Sequence, residues 1–204
     1  SDSTEAEVTE AAEIADFILV FGHGVSDTVL RVAKKTKLVQ LCSAGFDGIN
    51  LRLAGELGIP VANNGGANAI PVAEFAITLT LSTIRHLTVA AADTVAGQWM
   101  RPEVDGRDSH ELFATTIGII GAGRIGSTVA GMLRGFETTT LYTDKVRSEK
   151  AESFGAVKVE LDELLERSDV VTLHTPLDGS THGLIGEDEL RLMKKTAILI
   201  NTCR

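Results

Sequence analysis

The sequence predicts an α/β fold, with parallel strands covered by helices and divided into two parts. Three observations carry this. Short apolar runs alternate with stretches whose apolar residues recur at helical spacing. One run passes straight into a glycine cluster that opens a helix, and one long helical stretch separates a smaller first part from a larger second one. Because parallel strands need crossover connections, such alternation implies helices lying on a parallel sheet.

Taken in order, Phe17–Val20 is the first expected strand, followed by helical spacing over 27–33. Leu38–Leu41 is the second, followed by 51–57, and Val61–Ala62 is the third. The longest helix is expected over 68–96, with Pro71 tolerated in its first turn and Val72, Phe75, Ala76, Leu79 and Ile84 as its apolar residues. Arg85 and Trp99 could face a partner subunit or simply pack, and packing is the default reading. A loop rich in glycine and charge, 97–112, leads into a second series. Its strands are expected at Thr116–Ile120, 138–142, 157–159, Val170–Leu173 and 197–200, and its helices at 125–133, 161–166 and 188–193. In the helix at 161–166, acids alternate with Leu161, Leu164 and Leu165, the pattern of a solvated face opposite a buried one. The domain boundary is placed near residue 70, giving domains 1–69 and 70–204.

Composition narrows the function. A chain of 204 residues allows one full domain or two small ones, and buries about 70% of its unfolded surface without a disulfide or metal staple. The 19 basic residues against 28 acidic ones leave a net charge of −9, which repels polyanions and argues against nucleic acid or anionic lipid as partners. Cys42 and Cys203 make neither a disulfide framework nor a metal-ligand spacing, so no metal is expected and a reducing cytoplasm suits the chain. The longest apolar run, 75–84, is about half of the ~20 residues of a spanning helix, so no membrane segment is expected. The acidic start without Met reads as that of a fragment.

The glycine cluster carries chemistry. Thr116–Ile120 runs into Gly121-Ala122-Gly123-Arg124-Ile125-Gly126 and then a helix, which is G-x-G-x-x-G in its strand-turn-helix setting. The first glycine allows the tight turn, the second lets backbone approach a pyrophosphate, and the third lets helix pack on strand. The helix N-terminus then presents free N–H groups to the phosphates. Asp144 ends the next strand about 20 residues on, where an acid can bind both ribose hydroxyls and repel a 2′-phosphate. The sequence therefore predicts a Rossmann-type doubly wound sheet that binds a dinucleotide, with NAD favoured over NADP. Lys145 and Arg147 stand next to the acid, either as a site for a 2′-phosphate or, as read here, as solvated loop charges.

These motifs resemble the D-isomer-specific 2-hydroxyacid dehydrogenases over nearly the whole chain. Residues carrying the resemblance are Ser43-Ala44-Gly45-Phe46-Asp47, Val61-Ala62-Asn63-Asn64, Val72-Ala73-Glu74, the Gly118 to Gly126 segment, Ser168-Asp169-Val170, His174-Thr175-Pro176-Leu177 and Asn201-Thr202-Cys203-Arg204. The resemblance implies an NAD-binding domain inserted into a smaller, flavodoxin-like catalytic domain that is incomplete here, with the active site in the cleft between them. It implies substrate carboxylate binding by the backbone at Ala44 and Gly45, and nicotinamide contact at Asn64. Arg124 and Ile125 would hold the pyrophosphate, and Thr175, Pro176, Thr202 and Cys203 would line the cofactor. Arg204 would be catalytic, its guanidinium binding the carboxylate and polarising the carbonyl.

The implied activity is hydride transfer between NAD and C2 of a small 2-hydroxy or 2-keto acid, by a homodimer paired through the region of 68–96. The family's acid/base His and its orienting Glu come after the Arg motif, and the chain also starts late, so residues 1–204 alone are not expected to turn over. Alternatives on the same scaffold are a non-catalytic NAD-binding regulator and a formate or phosphite dehydrogenase. His174 ends a strand and is read as a packing or supporting residue rather than the acid. His23, His86, His110 and His182 are read as surface or loop residues, and Cys203 lacks a base that would make it a nucleophile.

Overall fold

The computed structural model describes residues 3–22, 24–98 and 109–203. Arg204, His23 and Trp99 lie outside the described residues. The chain separates into two compact units, Ser1–Asn68 and Ala69–Arg204.

In the first unit, Thr4 starts helix α1 (Glu5–Ile14) with a reciprocal cap: its hydroxyl accepts the Glu7 N–H at 3.3 Å while the Glu7 carboxylate accepts the Thr4 N–H at 2.8 Å. This helix was not among the expected elements. Strand β1 (Phe17–Val20), helix α2 (Asp27–Val32), β2 (Leu38–Leu41), α3 (Leu51–Glu56) and β3 (Val61–Ala62) follow. Ser26 and Asn50 cap α2 and α3 through their side chains. The strands pair in parallel in the order β1-β2-β3, over a core that includes Ala12, Leu30, Val39 and Leu53. Parallel pairing puts the loops leaving β2 and β3 at one edge.

The second unit corrects one expectation. The single helix over 68–96 is two helices, α4 (Ala69–Ile84) and α5 (Leu87–Val95), bent by 66°. His86 makes the break: with φ at 49° its N–H bonds Thr83, and its carbonyl then starts α5 by accepting from Val89 and Ala90. Apolar residues run through both helices, so periodicity alone could not show the bend. Among the described residues, no single helix is long and apolar enough to cross a membrane.

After this pair come β4 (Thr116–Ile120), α6 (Arg124–Leu133), β5 (Thr139–Thr143), α7 (Glu149–Ser153), β6 (Val157–Lys158), α8 (Leu161–Arg167), β7 (Val170–Leu173), α9 (Glu187–Leu192) and β8 (Ile198–Asn201). The five strands are parallel in the order β6-β5-β4-β7-β8. Ile117 and Ile119 of β4 face α4 and α6, with Ala73, Ala76, Val129 and Leu133 packed on them. Ile120 faces the other layer, formed with Leu141, Leu164, Leu165 and Val171. A Cβ on Gly118 would overlap Leu164 and Ser168, so this glycine sets how closely α8 lies on the sheet.

At the N-terminal edge of this five-stranded sheet, Asp169 ties three strands together. Its carboxylate accepts the Thr116 N–H and the Lys194 ammonium, each at 2.8 Å, and its backbone carbonyl accepts the Ile198 N–H at 3.0 Å. Sheet growth reverses at β4, which has β5 on one side and β7 on the other. In an open α/β sheet that reversal leaves a crevice beyond the C-terminal ends of the strands.

Candidate functional site

At that crevice lies a cleft of about 410 Å³, floored by Ile120, Gly121 and Gly123. The β5 exit, Thr143-Asp144-Lys145, makes one wall, and the β7 exit makes the other with His174, Thr175, Pro176, Asp178 and Ser180. The three glycines do different work. Gly121 has φ +91°, and a Cβ there would come within 2.8 Å of the His174 carbonyl. Gly126 is pressed against the Gly121 carbonyl and leaves no room for a side chain. Gly123, the N-cap of α6, has nothing within 4 Å of where a Cβ would stand and makes no side-chain cap. The N-terminus of a ten-residue helix thus opens onto the cleft, a fit for a pyrophosphate.

Asp144 reaches across to this loop. One carboxylate oxygen accepts the Ala122 N–H at 2.8 Å and the other the Val146 N–H at 3.3 Å. The Ser148 hydroxyl donates to the Ala122 carbonyl at 2.7 Å, so both polar groups of Ala122 are held by the loop after β5. Tyr142, fully buried, anchors that loop: its hydroxyl accepts the Ser148 N–H and donates to Glu152, both at 2.9 Å. Burial, with the Glu152 carboxylate, pushes the Tyr142 hydroxyl above its ordinary range. Arg147 turns away from the cleft and pairs with Glu152 through Nε at 2.7 and 2.9 Å, which holds the Glu152 carboxyl below its usual range. Lys145, in contrast, lines the cleft and donates to Ser180 across it at 2.6 Å.

On the other wall, the half-buried His174 ring sits between two hydroxyls, Thr172 at 3.0 Å from Nε2 and Thr202 at 3.4 Å from Nδ1. Burial pulls its pKa down to about 4, so near pH 7 the ring is the neutral imidazole rather than the imidazolium acid. The Cys203 thiol lies 3.1 Å from the Leu173 carbonyl, and burial pushes it up, away from a reactive thiolate. Cys203 also lines a second cleft with Thr175, Pro176 and Asn201, adjoining the first at Thr175 and Pro176.

The structure therefore brings Gly121, Gly123, Asp144, Thr175 and Pro176 to one cleft, with Gly126 directly behind it. Arg124 and Ile125 open α6, with Ile125 packed toward the core. Thr202 and Cys203 follow β8, beside His174 and Leu173. Ser148, Asp178 and Ser180 were not singled out in the sequence, because their contacts depend on loops meeting across the sheet edge. Among the described residues no group of three or more His, Cys, Asp or Glu is arranged to hold a metal.

In the first unit, Ala44 and Gly45 form a loop after β2. Asn63 donates to the Ala44 carbonyl and Ser43 to the Gly45 carbonyl, both at 2.7 Å. The Asn64 N–H donates to the Ser43 carbonyl at 3.0 Å, and its side chain lies 3.5 Å from the Cys42 carbonyl. The loop's carbonyls are thus tied back by neighbouring side chains.

Residues 77–204 match the family described as D-isomer specific 2-hydroxyacid dehydrogenase, NAD binding domain. The chain is 36% identical to D-3-phosphoglycerate dehydrogenase of Methanocaldococcus jannaschii, an alignment covering 98% of this chain and 38% of that protein. It is 38% identical to glyoxylate reductase of Korarchaeum cryptofilum, over 86% of this chain and 54% of that one. Among solved structures, D-lactate dehydrogenase from Aquifex aeolicus complexed with NAD and lactic acid superposes with a TM-score of 0.87 at 33% identity, covering 96% of this chain and 59% of that one. The chain spans well under two thirds of each of these relatives.

Proposed function

The chain belongs to the D-isomer specific 2-hydroxyacid dehydrogenase family, with residues 77–204 as its NAD binding domain, and from that premise we propose that it serves hydride transfer at C2 of a small 2-hydroxy or 2-keto acid. The observation carrying this reading is the open backbone at Gly123 and the uncapped start of α6, facing a cleft with Asp144 on its wall. When bound, NAD supplies the hydride acceptor. Gly123 and the first N–H groups of α6 hold the pyrophosphate, and the Asp144 carboxylate takes the ribose hydroxyls. Thr175, Pro176, Thr202 and Cys203 line the cofactor, and Asn64 lies beside the nicotinamide. The N–H groups of Ala44 and Gly45 bind the substrate carboxylate, and the Arg204 guanidinium anchors and polarises the substrate. His174 stays neutral and positions Thr202.

The same proposal includes a cytoplasmic homodimer. Exposed apolar residues Phe75, Leu87 and Val89 on α4 and α5 support a second copy there. Light scattering over a dilution series is expected to show a dimer, and a monomer at micromolar concentration overturns that part.

Titration of the chain with NADH, followed by nicotinamide fluorescence, tests the central reading. Saturable binding that tightens when oxamate, a 2-keto acid analogue, is added is the expected result. Absence of saturable NADH binding overturns it.

A further inference from the structure

We propose that Ser180 is a specificity-determining residue of the dinucleotide cleft: it holds the Lys145 ammonium across the cleft mouth and so keeps that cation from receiving a 2′-phosphate. This deepens the NAD reading above and rests on it.

Lys145 is the residue after Asp144, so a cation and an anion stand side by side on the wall that faces the adenosine ribose. An acid there repels a 2′-phosphate, whereas a free ammonium beside it attracts one. The two neighbours push cofactor preference in opposite directions, and the position of the lysine decides how far they cancel. In the structure the lysine is held. Its Nζ donates to the Ser180 Oγ at 2.6 Å, a contact between residues 35 apart in sequence on opposite walls.

Ser180 is itself fixed by Asp178, whose Oδ1 accepts the Ser180 hydroxyl at 2.6 Å and the Ser180 N–H at 2.7 Å. The Thr181 hydroxyl closes the same turn onto the Pro176 carbonyl at 2.5 Å. Hydrogen bonds from Ser180, with the Lys145 charge contributing, hold the Asp178 carboxyl below its ordinary range. A carboxylate, a hydroxyl and an ammonium thus form a chain across the cleft. The other nearby cation, Arg147, is committed to Glu152. Lys145 is therefore the cation on this wall whose placement the β7 loop controls.

The test is a set of fluorescence titrations with NADH and NADPH against the wild type, Ser180→Ala, Asp178→Asn and the double variant Lys145→Ala/Ser180→Ala. Wild type is expected to bind NADH more tightly. Ser180→Ala is expected to tighten NADPH binding about fivefold, the size of one partly exposed charge pair, with NADH changing by less than about twofold. Asp178→Asn, which removes the charge and keeps the side-chain shape, is expected to move NADPH the same way. The double variant should lose the gain, and raised salt should shrink it. An unchanged NADPH affinity in Ser180→Ala, an equal shift for both cofactors, or a gain that survives removal of Lys145 overturns the proposal. If wild type binds neither cofactor, the NAD reading itself has failed; if it binds NADH and the ratio stays fixed, only the role of Ser180 has.

Discussion

The Asp144 carboxylate accepts the Ala122 N–H at 2.8 Å. The acid we propose to read the ribose thus also fixes the peptide between the first two glycines of the proposed phosphate loop. Asp144→Ala is therefore expected to act twice. NADH affinity should fall by about ten- to a hundredfold, from lost charge-assisted bonds of ~1.5 to 3 kcal/mol. NADPH affinity should fall less, because removing the acid also removes its repulsion of a 2′-phosphate. Asp144→Asn keeps an acceptor for Ala122 and should fall between wild type and Asp144→Ala for NADH. Paired titrations check the order, and tighter NADPH than NADH binding by wild type contradicts it.

The glycines make a discriminating pair. Gly126→Ala puts a methyl into the Gly121 carbonyl and is expected to lower stability by about 1 to 3 kcal/mol. Gly123→Ala meets nothing within 4 Å, so stability should change by no more than about 0.5 kcal/mol. Its methyl would stand where we propose the pyrophosphate approaches, and NADH affinity should drop more than about tenfold. Denaturant unfolding and NADH titration on both variants separate fold from binding. Normal NADH binding by Gly123→Ala would remove the phosphate-loop assignment.

Asp169 predicts an acid-side loss of stability. Burial works to raise its pKa, but the Lys194 and Thr116 hydrogen bonds win and hold it below its ordinary value of 3.8. A carboxyl lowered on folding stabilises fully above that ordinary value, and the contribution disappears as pH falls through the lower folded one. With a side chain 37% exposed, the Lys194 pair is screened, so Asp169→Ala is expected to cost only about 1 to 2 kcal/mol at pH 7. The difference in melting temperature from wild type should shrink toward pH 3. A pH-independent difference would show that the charge contributes nothing.

His174 has the same sign with a different window. Its folded pKa of about 4 lies below the ordinary 6.5, so between those values the unfolded chain binds more protons and stability rises with pH. His174→Asn should flatten that part of the stability profile. The ring's own NMR titration should centre near 4. A midpoint near 6.5 would contradict the lowered pKa and reopen His174 as a candidate acid.

What the sequence revealed was local. Three glycines within six residues after an apolar run, and an acid ending the next strand, need no tertiary knowledge to be read. The Thr4–Glu7 cap of α1 is equally local, a Thr followed three residues on by a Glu, but the helix it starts buries only Ala12 and so carries little apolar periodicity. Helix α7 spans five residues with only Ala151 buried, too little for a periodicity to register. The bend at His86 interrupts no apolar pattern and lies in backbone conformation alone. Lys145 and Ser180 become neighbours only after β5 and β7 take their places on either side of β4. Adjacent charges could be seen in the sequence, whereas the hydroxyl that restrains one of them could not.

The placement of α4 also bears on how the chain is made. Ala73, Ala76 and Ile84 share one core with Ile200 of β8, yet in sequence they lie near opposite ends of the second unit. At about 5 to 20 residues per second, a ribosome delivers β8 roughly 6 to 25 seconds after α4. Strand β4 and helix α6 arrive first and shelter part of the helix, while the part that meets β8 waits in solvent. During synthesis that waiting side is a natural handhold for a chaperone, and a route to aggregation when none is present.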